Sequence, residues 1–115
     1  MAMTAQTTEK RRHLRHSVNE PCRARLEGGE YVGAVVNMSV SGAAIHLDIE
    51  LDINPAPNTF IELHIQRIGM IRTRVVRRLI GGVAVEFLFN PARDRVLIAK
   101  LWKVLNEYAP GAGRV

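Results

Sequence analysis

The sequence predicts a mainly β domain: a six-stranded antiparallel barrel followed by one C-terminal helix. Three observations carry this expectation. About six short alternating or β-branched runs lie between Gly-, Pro- and Asn-rich punctuation over residues 21–89. After Asn90-Pro91 the apolar period changes from two to three and four. Six short strands laid flat in 115 residues would leave two long edges, which closure into a barrel removes. The length is that of one domain, able to bury roughly two-thirds of its unfolded surface. With 47% hydrophobic and 23% charged residues, the composition is that of a packed globule.

Residues 1–9 are polar and aperiodic, the pattern of a flexible tail. Residues 10–20 form the leader, whose basic run 10–16 has no apolar face. Pro21 opens the first run, which ends at Leu26 with Gly28-Gly29 as the turn. Glu30–Met38 is β-branched and aromatic, a second strand, and Ser39–Gly42 punctuates it. Ile45, Leu47, Ile49, Leu51 and Ile53 then alternate strictly with His46, Asp48, Glu50 and Asp52, so the expected strand covers 45–53.

The two prolines in 54–58 demand a loop. Ile61, Leu63 and Ile65 alternate again, and Gly69 marks the next turn. Met70–Ile80 reads as a long strand whose alternation breaks at Val75-Val76-Arg77-Arg78, the signature of a bulge. Gly81-Gly82 turns into a last strand, Val83–Phe89, completing a barrel over 21–89. Asn90 as N-cap and Pro91 in the first turn predict a helix over 91–108, stopped by Pro110-Gly111. Its stripe of Leu97, Ile98, Leu101, Trp102, Leu105 and Tyr108 is expected to pack on the barrel surface or mouth; the alternative is a dimer interface. No second domain and no internal repeat is expected, and the domain proper is placed at 10–109.

Charge narrows the function. The net charge is +5, and 13 of the 16 basic residues are arginine, whose rigid donor fork suits phosphate and guanine. Lys10, Arg11, Arg12, Arg15, Arg23 and Arg25 form one basic block against Glu20 alone. Arg67, Arg72, Arg74, Arg77 and Arg78 form another, and Asp48, Glu50, Asp52 and Glu62 an acidic one between them. No stretch approaches the 18 apolar residues of a membrane span. Residues 1–12 lack the apolar core of a secretory signal, so a cytoplasmic location is expected. Cys22 is the single cysteine, which excludes a disulfide framework or a cysteine zinc site. His13 and His16 sit among arginines, and His46 and His64 on polar strand positions. No three-ligand metal set, nucleophile–base pair or phosphate-binding glycine loop is apparent, so neither catalytic residues, metal nor cofactor are expected.

Two motifs carry the remaining signal. The leader holds Arg11-x-x-x-Arg15, and the turn after Glu30–Met38 holds Asn37-x-Ser39-x-x-Gly42. Alone, Asn37, Ser39 and Gly42 also fit a side-chain-capped turn with Gly42 at positive φ. An RxxxR leader followed by [DN]xSxxG, ahead of a barrel and a C-terminal helix, resembles the PilZ domain, the bacterial receptor module for the second messenger cyclic di-GMP. The resemblance runs from about Lys10 to Tyr108. It implies a non-enzymatic receptor in which Arg11, Arg15, Asn37, Ser39 and Gly42 bind the dinucleotide.

The chemistry fits. The ligand carries two phosphates and two guanines, and a guanidinium can clamp the first or donate two parallel bonds to the second. Asn37 and Ser39 offer short polar groups for a guanine edge and for phosphate or ribose oxygens. Lys10, Arg12, Arg72 and Arg74 are possible further contacts, with Lys10 placed to hold a second, stacked ligand molecule. Ligand binding is expected to order the leader and to signal to a partner protein, in the family's usual settings of motility, exopolysaccharide synthesis or virulence. Two other readings compete: a small basic barrel that binds nucleic acid along the 67–78 arginines, and a PilZ-like protein–protein adaptor without ligand. Aromatic residues, at 5%, are sparse for the stacking that nucleic acid favours.

Overall fold

The computed structural model describes residues 14–47 and 55–108. Six strands follow one another: β1 (His16–Leu26), β2 (Gly29–Met38), β3 (Gly42–Leu47), β4 (Phe60–Ile65), β5 (Gly69–Leu79) and β6 (Gly82–Phe87). They close into an antiparallel barrel in the order β1-β2-β3-β6-β5-β4, with β4 returning to pair with β1. One helix, α1 (Arg95–Tyr108), follows. Closure leaves no sheet edge within the barrel.

Strict alternation fills the interior. Along β1 every second residue from Val18 to Leu26 is buried, and β4 repeats the pattern with Ile61, Leu63 and Ile65. The core continues through Val35, Met38, Ile45, Ile71, Val75 and Val83. Its fully buried polar side chain on β5, Thr73, donates from Oγ1 to the Ile61 carbonyl at 2.9 Å, so its hydroxyl is paired. Leu101, Val104 and Leu105 of α1 join this core.

The elements depart from expectation at four places. β1 begins at His16, inside the segment read as leader, because Ser17 and His16 pair with Asn37 and Met38 beyond a bulge between Ser17 and Glu20. An inward-facing glutamate, Glu20, had disguised the alternation. β3 starts three residues earlier than expected and is described to Leu47; the remainder of the expected strand, 48–54, lies outside the described residues.

The helix begins at Arg95, not Pro91. Asn90 does cap, but it caps a separate turn: its Oδ1 accepts from the amides of Ala92 and Arg93 at 3.1 and 3.2 Å. Asp94 returns the favour to the Asn90 amide at 2.8 Å, and the helical ladder opens with Ile98 N–H bonding to the Asp94 carbonyl. Finally, Trp102 stands 49% exposed on α1 instead of lying against the barrel. The bulge expected near Val76 is present, between Val75 and Arg77.

Candidate ligand-binding site

The motif Asn37-x-Ser39-x-x-Gly42 bridges the end of β2 and the start of β3. The Ser39 amide donates to the Gly42 carbonyl at 2.9 Å, closing the turn. The Ser39 side chain is buried; its Oγ accepts from the Ser41 amide at 3.1 Å and shares a hydrogen bond with the Ser41 hydroxyl at 3.1 Å. The turn is tied to the barrel by Phe87 N–H donating to the Ser41 carbonyl at 2.8 Å. Ser39 therefore builds the turn, and Ser41, which the sequence reading passed over, is the exposed hydroxyl beside it.

Gly42 is required for a reason other than positive φ. Its φ is not among the left-handed ones; instead, a Cβ here would lie 2.3 Å from the Val85 carbonyl oxygen of β6. The strands approach too closely for any side chain. Asn37 itself is half-buried at the outer surface, level with Ala44 of β3.

Arg15 precedes β1, which lies against the same end of β2. Its guanidinium donates from Nη1 to Asn37 Oδ1 at 3.1 Å. The two sequence motifs, 22 residues apart, thus meet through one exposed side-chain contact. Lys10, Arg11 and Arg12 lie outside the described residues.

The two strand arginines do not join this group. Arg74 is engaged by Glu86, with Nε at 2.9 Å from Oε1, and by Asn58 Oδ1 at 2.9 Å. Arg72 opposes Glu62 on β4 and lines a different groove of about 640 Å³, shared with Arg25, Phe60 and Arg93. Both arginines face outward as the alternation requires; Arg74 shares a row with Gly42 across β6, but Glu86 stands between them and holds it.

Five residues after Arg15, Glu20 of β1 centres a cluster that no local sequence pattern marks. The inward carboxylate of Glu20 accepts two bonds from Arg67, Nε to Oε1 at 3.1 Å and Nη2 to Oε2 at 2.9 Å. It takes a third, at 2.5 Å, from the Tyr108 hydroxyl at the end of α1. Arg67 also donates to Glu107 at 2.5 Å. The Arg67 bonds hold the Glu20 carboxyl below the usual carboxylate range, against an opposing push from burial. The cluster buckles the helix C-terminus and the β4–β5 turn to β1. Near it, burial pushes the Cys22 thiol up to about 11.

The PilZ domain family model matches residues 9–102. Among solved structures, the PilZ domain of CeSA from a cellulose-synthesising bacterium aligns with a TM-score of 0.62 at 17% identity, over 80% of this chain and 97% of that one. MrkH, described as a c-di-GMP-dependent transcription regulatory factor, aligns at 0.58 with 18% identity, over 85% of this chain and 52% of that one. YcgR from Escherichia coli, solved in complex with c-di-GMP, aligns at 0.52 with 18% identity, over 85% and 47%. This chain thus spans about half the length of the latter two. None of the curated proteins matches it. These structural likenesses speak to the fold, and the family match speaks to kinship: the chain belongs to the PilZ domain family.

Proposed function

We propose that this chain is a non-enzymatic receptor for cyclic di-GMP. One observation carries the reading: the Arg15 guanidinium rests on Asn37, so the two motifs form one surface. That contact is a single exposed hydrogen bond to a neutral amide, worth about 1 kcal/mol. A phosphate or a guanine edge offers the same guanidinium a charge-assisted or bidentate partner, roughly twice as strong. Arg15 therefore exchanges Asn37 for ligand at low cost and leaves the Asn37 amide to bond the ligand as well. Arg11, four residues ahead, adds a second guanidinium. Ser39 and Gly42 act by holding the turn that presents Asn37 and Ser41.

Closing the basic leader over the ligand changes the shape and charge of one end of the barrel, and a partner protein in the bacterial cytoplasm reads that change. The c-di-GMP bound in YcgR and the c-di-GMP dependence stated for MrkH support the choice of ligand. Titration calorimetry with cyclic di-GMP, with GTP and single-stranded DNA as controls, tests it. The expected result is binding of cyclic di-GMP alone, weakened at least about tenfold by Arg15→Ala, the value of one good bidentate contact. Binding that survives Arg15→Ala intact breaks the mechanism. Preference for DNA supports the nucleic-acid reading, and binding of nothing supports the adaptor reading.

A further inference from the structure

The outer surface beside Asn37 has a composition that the motifs do not account for. Pairing register places Asn37 of β2, Ala44 of β3, Ala84 of β6 and Arg77 of β5 in one row across four adjacent strands. Ala44 and Ala84 face outward, because their neighbours Ala43, Ile45, Val83 and Val85 supply the core. The row therefore sets two small side chains, Ala44 half-buried and Ala84 only 8% exposed, between a polar side chain at each end. Three inter-strand steps of about 4.8 Å separate those ends by about 14 Å along the sheet.

A glycine flanks this row on each side. Toward the turn lies Gly42, then Glu86, which Arg74 neutralises. On the other side lies Gly82, where a Cβ would come within 1.8 Å of the Ile45 carbonyl oxygen. Beside it His46 stands exposed.

Arg77 reaches this row only through the β5 bulge. Val75 pairs with Val85 and Arg77 with Ala84, so the extra residue turns Arg77 outward where simple alternation would turn it in. The other arginines of the block are engaged elsewhere: Arg67 with Glu20, Arg74 with Glu86, Arg78 with the Pro55 carbonyl, and Arg72 opposite Glu62. Arg77 is exposed and has no side-chain partner among the described residues.

We infer that Arg77 is the second base-reading residue of the ligand site. It donates its fork to O6 and N7 of the guanine that Arg15 and Asn37 do not hold, with that ring lying flat over Ala44 and Ala84. The inference rests on the reading of this chain as a cyclic di-GMP receptor and adds a specificity determinant to it. Adenine presents N7 beside an amino donor and cannot accept both bonds. Cyclic GMP-AMP, in which one guanine is replaced by adenine, is therefore the discriminating probe.

Calorimetry with both cyclic dinucleotides on wild type, Arg77→Ala, Arg77→Lys and Arg72→Ala tests the assignment. Wild type is expected to prefer cyclic di-GMP by about tenfold or more, the worth of one bidentate guanine contact. Arg77→Ala should lose about tenfold in cyclic di-GMP affinity and most of the preference. Arg77→Lys, which keeps the charge without the fork, should lose the preference too. Arg72→Ala, on the other groove, should change neither. If wild type binds and Arg77→Ala keeps both affinity and preference, the role of Arg77 falls and the receptor reading stands. An equal loss for both ligands also overturns base reading, since it leaves Arg77 only a phosphate's counter-charge. No binding by wild type overturns both readings together.

Discussion

Two guanidinium contacts sit five residues apart along the N-terminal stretch of the barrel, and they are built oppositely. Arg15 reaches a neutral amide, Asn37, by a single exposed bond. Arg67 reaches the Glu20 carboxylate by two bonds, with a third from Tyr108, and that carboxylate side chain is only 4% exposed. The β-bulge between Ser17 and Glu20 lies between them. A contact that must be surrendered to a ligand has to be weak and hydrated. One that anchors the strand behind it has to be charge-assisted and sheltered from water. The difference divides β1 into a releasable end and a fixed one, with the irregular pairing of the bulge at the boundary. Motion of the leader is therefore expected to stop at Glu20 and not propagate along β1 into the core.

The largest effect should come from the fixed end. Glu20→Ala leaves Arg67 to Glu107 alone and removes the nearer acceptor of the Tyr108 hydroxyl, leaving it the Asn19 carbonyl at 3.3 Å. Arg67→Ala does worse, stranding a buried carboxylate. Breaking a buried pair on one side costs about 3–5 kcal/mol, and the half-exposed Arg67 puts these variants at the lower end of that range. Equilibrium urea unfolding would measure the loss, and the folded fraction of each variant should keep wild-type ligand affinity. A loss below about 1 kcal/mol would remove the contrast between the two ends.

That cluster is also where the sequence was least legible. Glu20 lies 47 residues from Arg67 and 88 from Tyr108, and no local pattern joins them. Because Glu20 occupies an inward position, it also hid the first part of β1. Small residues hid the start of β3: Gly42, Ala43 and Ala44 carry no strong alternation, although Ala43 is fully buried. By contrast, β4 was plain from Ile61, Leu63 and Ile65, where apolar and polar residues strictly alternate. At the helix, Asn90-Pro91 reads as the start signal, but Asn90 caps a separate turn and the helix starts only after a second capping residue, Asp94. Arg15 and Asn37 were legible as members of spaced motifs. Arg77 was not, because a bulge of one residue decides which way it points, and Arg72 and Arg74 stand opposite Glu62 and Glu86, partners that no local pattern reveals.

A smaller effect should follow from acid. The Glu20 carboxyl is held below its ordinary value of 4.5 in the folded chain. Its stabilisation is therefore fully present above that value and is lost as pH falls through the depressed folded value, because the unfolded chain takes up the proton first. The stability of wild type should drop on acidification from about pH 5 downward by more than that of Glu20→Gln, which has no proton to take up at this position. Urea midpoints at pH 6 and pH 3.5 for the two proteins would show it. Parallel curves would mean that the buckle does not depend on the charge of Glu20.

The smallest effect on stability belongs to Arg15, and it tests the contrast most directly. Arg15→Ala removes one exposed bond to a neutral acceptor, and both groups recover water when it breaks. Surface substitutions of that kind stay within about 0.5 kcal/mol, so the urea midpoint should be indistinguishable from wild type while ligand affinity falls at least about tenfold. Glu20→Ala should show the reverse, a large stability loss with affinity kept. If Arg15→Ala instead destabilised the domain by more than about 3 kcal/mol, Arg15 would be part of the scaffold. Releasing it to a ligand would then cost more than a bidentate contact returns, and ligand exchange at Asn37 could not be the switch.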